Sequence, residues 1–247
     1  MPDANCPKCE GTGWRQVERG EVSAVERCEC GAAQRPARLL EAAQVPARYE
    51  HAAFENFLKP GQRENPVANE NLSKVLLDAK RYAEDYPNAG KPGLLFLGNP
   101  GVGKTHLAVA VLKRLLERGF ECVFLDYQAL LDRIRQGYVE AHGSSAREAY
   151  QTALDTEVVL LDDLGAHRVT DWVNDTVFSI INHRYNARKA TLVTTNLPDP
   201  DFAPSSNLIK DTLADRIGAS ARSRLFEMCK LLKITVTEDY RLRGVPR

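Results

Sequence analysis

No apolar run in this 247-residue sequence is long enough to cross a bilayer, and its first residues lack the basic-plus-apolar pattern of a secretory signal. The expectation is a cytoplasmic protein with no membrane partner, in a compartment that keeps thiols reduced. An excess of one charge is also missing: 33 basic residues face 33 acidic ones, a formal net charge of zero. Bulk attraction to nucleic acid is thereby excluded as an argument, and any such surface has to be local. Internal repeats and low-complexity tracts are absent as well. What is present is a 43% hydrophobic composition, enough for a sizeable core, on a chain long enough for one large domain with an appendage.

Cysteine is scarce along most of the chain and crowded at one end. Cys6, Cys9, Cys28 and Cys30 fall in the first thirty residues, as C-x2-C, eighteen intervening residues, then C-x-C. The first pair, trailed by Gly11 and Gly13, has the form of a zinc knuckle, in which both thiolates face one metal. Thirty residues bury little core, so a tetrahedral Zn2+ would supply the folding energy. A redox Cys-x-x-Cys pair or chance cysteines are the rivals, and neither explains why four cluster. The second pair departs from C-x2-C. Cys122 and Cys229 stand alone and suit small core positions, and His142, His167 and His183 lack metal-binding spacing.

The run Gly98-Asn99-Pro100-Gly101-Val102-Gly103-Lys104-Thr105 reads G-x-x-x-x-G-K-T, the phosphate-binding P-loop. Its glycines let successive N–H groups turn inward on a nucleoside triphosphate such as ATP. Lys104 can reach the β- and γ-phosphates, and the Thr105 hydroxyl can coordinate Mg2+. His106 completes the stretch at the mouth of the expected nucleotide site. An apolar strand, Leu94 to Leu97, precedes the loop, and Leu107, Ala108, Val111, Leu112 and Leu115 follow it at helical spacing.

From Lys91 onward apolar strands and helical segments alternate. Strands are expected at Leu94–Leu97, Cys122–Leu125, Val158–Leu161 and Thr191–Val193, with a late one at Lys233–Val236. Such a rhythm implies an α/β fold, a parallel sheet with helices on both faces. Three units are expected: residues 1–33 as the cysteine module, 34–90 as a helical lead-in, and 91–247 as the nucleotide-binding domain.

Val158-Val159-Leu160-Leu161-Asp162-Asp163 ends an apolar strand in two acids, the Walker B pattern. Asp162 would hold Mg2+, and Asp163 could orient and deprotonate an attacking water. Asp163 is one methylene shorter than the more usual Glu, which predicts slow hydrolysis that improves on assembly. Asn196, ending another strand, is placed to contact the γ-phosphate or the water, although as a residue before Leu-Pro it also suits a simple turn. Arg216, Arg222 and Arg224 form a late basic cluster, with 216 and 224 eight apart and so on one face of a helix. An arginine there could neutralise charge on a neighbour's γ-phosphate, or serve as a solvated basic face.

Taken in order, G-N-P-G-V-G-K-T, L-L-D-D-L-G, Arg184-Tyr185-Asn186, T-T-N-L-P and S-R-L-F-E-M-C resemble the bacterial replicative helicase loaders of the DnaC/DnaI type and their relative, the IstB transposition helper. The resemblance spans roughly Val45 to the last residue. It implies the AAA+ fold, ATP hydrolysis, and self-association through shared ATP interfaces, with Asn196 at the sensor-1 position and Arg224 first, Arg216 second, as the arginine finger. It further implies a replicative ring helicase and single-stranded DNA as partners in DNA replication, and a helicase-holding role for the zinc module. Arg133, Arg135 and Tyr138 are candidates for a basic, stacking surface toward DNA, or for a solvated helix face. A transposition helper and a P-loop small-molecule kinase are the alternatives, together with an ATP-gated switch of negligible turnover.

Overall fold

The structure, a computed structural model, describes residues 6–19, 22–30, 35–61, 63–136, 144–201 and 211–242. A two-stranded antiparallel hairpin, β1 (Trp14–Arg19) and β2 (Val22–Arg27), comes first. It accounts for most of the spacer between the cysteine pairs. Helices α1 (Arg35–Ala42) and α2 (Pro66–Asp85) follow. Asn65 caps α2 by accepting from the Ala68 N–H, and Pro66 at the first helical position needs no N–H partner. The helix of the lead-in therefore begins at Pro66.

Five parallel strands form the main sheet, in spatial order β4 (Cys122–Asp126), β5 (Val158–Asp162), β6 (Ala190–Thr195), β3 (Gly93–Gly98) and β7 (Cys229–Ile234). Between them run α3 (Lys104–Glu117), α4 (Tyr127–Gln136), α5 (Ser144–Asp155), α6 (Asp171–Asn186), α7 (Leu213–Ile217) and α8 (Ala219–Met228). The strands are apolar on both sides because each side meets helices. Leu94, Phe96, Val158 and Leu160 pack with α2 and α3 in one cluster, whereas Leu95, Val159 and Leu161 pack with α4 to α8 in the other. Phe54, Leu72 and Ala79 from the 34–90 segment lie in the first cluster beside β3, so the lead-in shares a core with the sheet.

Two expectations need correction. The last strand is Cys229–Ile234, not Lys233–Val236, since Leu232 and Ile234 pair beside β3 while the chain turns away after Ile234. Arg216 and Arg224 do not share a helix. Gly218, at φ +82° and ψ 147°, ends α7 and starts α8, a conformation that L residues with side chains avoid.

Candidate nucleotide-binding site

Sheet order decides what meets at the carboxyl edge. β6 lies between β5 and β3, so residues after β6 stand between the two acids and the P-loop. Gly103, at φ +95°, is the N-cap of α3, and Lys104 opens that helix. A Cβ on Gly103 would come within 2.6 Å of the Phe57 ring, which packs down from the lead-in segment. The loop is thus restricted to glycine there by both backbone conformation and a close neighbour.

Lys104 is 5% exposed, and its ammonium donates to the Asn99 carbonyl at 2.7 Å and to Asn196 Oδ1 at 2.5 Å. The amide of Asn196 donates in turn to Asp163 Oδ1 at 2.5 Å. A single Asn therefore bridges the P-loop lysine and the second acid. Burial pulls the Lys104 pKa down to about 8, and the nearby Asp163 and Asp162 carboxylates only partly offset that.

Asp162 is 7% exposed, with Oδ1 accepting from the Thr194 hydroxyl at 2.6 Å. Burial raises its pKa, while the Thr194 and Thr105 hydroxyls act in the opposite sense. The same Thr194 oxygen accepts the Asp163 N–H at 2.9 Å. Thr194 thus orients both acids, a role the sequence signalled only as one Thr of T-T-N. Asp163 adopts φ +58°, in the left-handed region where Asp is tolerated better than longer side chains. The turn it makes is closed by the Leu164 N–H on the Thr194 carbonyl and by the Thr195 hydroxyl on the Leu164 carbonyl.

These groups line a cavity of about 600 Å3. Pro46, Arg48 and Tyr49 from the lead-in and Phe124 from β4 form one flank, with the P-loop, Asp162, Asp163, Thr194 and Asn196 at the floor. Thr105 and His106 line it as well, but the His106 ring is engaged outward, bonded to the Ala53 carbonyl at 2.8 Å and set against Phe57. An ammonium, a glycine-rich loop at a helix N-terminus and two carboxylates suit a triphosphate with its divalent ion.

The late arginines lie elsewhere and are not equivalent. Arg222 is bound to Asp199 and Asp201 and stacks over Phe226, so its charge is committed within the chain. Arg216 pairs with Asp211 at 3.2 Å. Arg224 has no carboxylate partner among the described residues; it donates to Asn182 Oδ1 and the Ser220 carbonyl and rests over Phe178 and Tyr185. Arg184, within the R-Y-N motif, is fully buried: its guanidinium donates to the Thr191 hydroxyl and to the carbonyls of Ala153, Leu154, Thr156, Glu157 and Ala190. It ties α5, α6, β5 and β6 together at the edge opposite the cavity. Arg133 donates to Ser145 on α5, and Tyr138 lies outside the described residues.

The Sγ atoms of Cys6, Cys9, Cys28 and Cys30 all lie within 4.8 Å of one another, with Cys6 to Cys28 at 3.7 Å and Cys9 to Cys30 at 3.5 Å. A tetrahedral zinc with bonds of about 2.3 Å spaces its sulfurs by about 3.8 Å, so the donor set fits that ion. Glu10, Gly11 and Gly13 take positive φ, turning the Cys6–Cys9 loop back on itself, and the Cys28 N–H closes on the Gly13 carbonyl at 2.8 Å. Burial raises the Cys9 pKa, yet hydrogen bonds from the Gly13 backbone and neighbouring thiols outweigh it and hold the thiol at about 7. The irregular C-x-C pair closes the site because the β-hairpin returns the chain to the first pair.

Known proteins share the family and the fold of this chain. The family model described as IstB-like ATP binding protein matches residues 81–245. A crystal structure of the DnaC helicase loader is 34% identical, with a TM-score of 0.62, over 76% of this chain and 99% of that one. The replicative helicase loader DnaC of Buchnera aphidicola subsp. Schizaphis graminum is 24% identical over 88% of this chain and 85% of its own length. The uncharacterized protein YqaM of Bacillus subtilis is 26% identical over 87% of this chain, which spans 64% of YqaM's length.

Proposed function

From the premise that the chain belongs to the IstB-like ATP binding protein family, with the AAA+ P-loop ATPase fold of DnaC, we propose that it hydrolyses ATP to load a replicative ring helicase onto single-stranded DNA. The observation that carries the hydrolytic part is the chain Lys104–Asn196–Asp163 beside the Thr194-held Asp162. Lys104 and the loop amides bind the phosphates; Asn196 and Asp163 orient the water, and a carboxylate oxygen of Asp163 accepts its proton. Mg2+, held by Thr105 and Asp162, would neutralise charge on the leaving phosphates.

Asp163 reaches the water from a strained turn through a short side chain, which favours slow basal turnover. Arg224 is the finger of choice because its charge is unpaired by any carboxylate among the described residues, whereas Arg222 is already neutralised. Self-association would bring it to a neighbour's triphosphate. The loader role follows the DnaC relatives, and the zinc module supplies a compact docking unit for the helicase. The family's name keeps a transposition helper as the second possibility; the family match leaves the kinase alternative without support.

ATPase assays with the host's ring helicase and single-stranded DNA test this. Turnover should rise when both are added. R224A should lose the rise while binding ATP normally, and K104A should lose binding. Turnover indifferent to helicase and DNA, with wild-type protein failing to capture the helicase, would refute the loader role.

A further inference from the structure

Arg216 and Arg222 are each ion-paired with acids of their own chain, whereas Arg224 sits in a seat built only of uncharged groups. Its Nε–H donates to Asn182 Oδ1 at 2.9 Å, and Nη1 donates to the Ser220 carbonyl at 3.1 Å. The guanidinium carbon stands 5.0 Å from the Phe178 ring centroid and 5.6 Å from that of Tyr185. Phe178, Asn182 and Tyr185 are spaced four and then three residues apart on α6, so one helix face supplies all three, and α8 supplies the arginine. Glu227, one turn further along α8, is taken up by the Tyr185 hydroxyl, which donates to its Oε1 at 2.8 Å.

A carboxylate in this seat would hold the side chain as firmly but would cancel its charge. An amide oxygen and two ring faces orient the guanidinium and leave its positive charge in force. Among the described residues nothing accepts from Nη2, so the outer side of the fork keeps the paired N–H groups that a phosphate takes. Phe178 is 36% exposed, which leaves the seat open at the surface.

We propose that Asn182 is a positioning residue for ATP hydrolysis between copies of this chain. Its neutral amide, with the Phe178 and Tyr185 rings, fixes the Arg224 guanidinium while leaving it uncompensated, ready for the triphosphate held by a second copy. This rests on the proposed function, in which Arg224 serves a neighbour's ATP. The neutrality of the seat matters as much as its shape.

Steady-state ATPase over a range of protein concentration tests this with wild type, N182A, N182D and R224A, alongside the melting temperature of each nucleotide-free protein. Wild-type turnover per chain should rise with concentration as copies meet, and R224A should lose the rise. N182A should lower the raised turnover about tenfold, the loss of one hydrogen bond to a charged group. N182D should lower it at least as far, because the new carboxylate pairs with Arg224, yet should melt no lower than wild type. D163N lacks the proton-accepting carboxylate but carries an intact Arg224 seat. An equimolar mixture of N182D and D163N should therefore regain turnover that neither has alone. N182D turning over like wild type, N182D melting lower than wild type, or a mixture that regains nothing overturns the role of Asn182 and leaves Arg224 in its own. R224A that keeps the rise, or wild type that shows none, overturns both.

Discussion

Replacing Thr194 with Val keeps the shape of β6 and removes one hydroxyl, which makes it the sharpest probe of the acid pair. The hydroxyl donates to the Asp162 carboxylate and accepts the Asp163 N–H. A bond to an ionised group is worth about 1.5–3 kcal/mol, and an orphaned N–H costs about 1 kcal/mol more where water cannot reach it. Partial relaxation leaves about 2–3 kcal/mol at neutral pH, or about 4–12 °C in melting temperature for a chain of this size. The pH dependence identifies the cause. Asp162 has a raised pKa in the folded state, so the folded protein binds more protons than the unfolded one between the ordinary Asp value and the raised one. Stability of the nucleotide-free protein therefore falls as pH rises through that window. T194V raises the pKa further and deepens the fall. Below the window the carboxyl is neutral in both states, and the penalty should shrink by about half. Thermal unfolding of both proteins across the window measures this. An equal penalty at both ends would show that the hydroxyl does not serve an ionised Asp162.

The depressed Lys104 pKa of about 8 has two consequences of opposite sign. Above pH 8 the ammonium is lost, so ATP binding should weaken, approaching tenfold per pH unit, in equilibrium titrations. Between about 8 and the ordinary lysine value the unfolded chain binds more protons, so stability of the nucleotide-free protein should rise with pH through that interval, a gain that K104M lacks. D163E should be less stable by about 1 kcal/mol, since the longer side chain tolerates φ +58° less well, yet its further reach should raise basal turnover above wild type; hydrolysis no faster in D163E would refute the short-reach argument. One zinc per chain is expected in native mass spectra. C28S should lose it without moving the main thermal transition, because the cysteine cluster is separate from both sheet cores.

The nucleotide site was legible to the extent that its chemistry is local. Gly98 to Thr105 is one contiguous loop, and an apolar strand ending in Asp162-Asp163 announces its own direction and its own charge. Four strands were legible because two-sided burial forces continuous apolar runs. The helix break at Gly218 was not, since a lone glycine between helical segments suits a break or an ordinary helix position equally.

Sequence alone determined that this chain builds a P-loop α/β domain with a four-cysteine module, because spacing along the backbone suffices where ligands sit within one turn or strand end. Tertiary structure decided the rest. Strand order put Asn196 between Lys104 and Asp163, and register put Thr194 beside Asp162. Ion pairing removed Arg222 from contention, and the packing of α6 on α8 carried Asn182 across 42 residues of sequence to Arg224. Contacts of that separation depend on which surfaces pack together, and hydrophobic spacing says only that a face is buried, never against what.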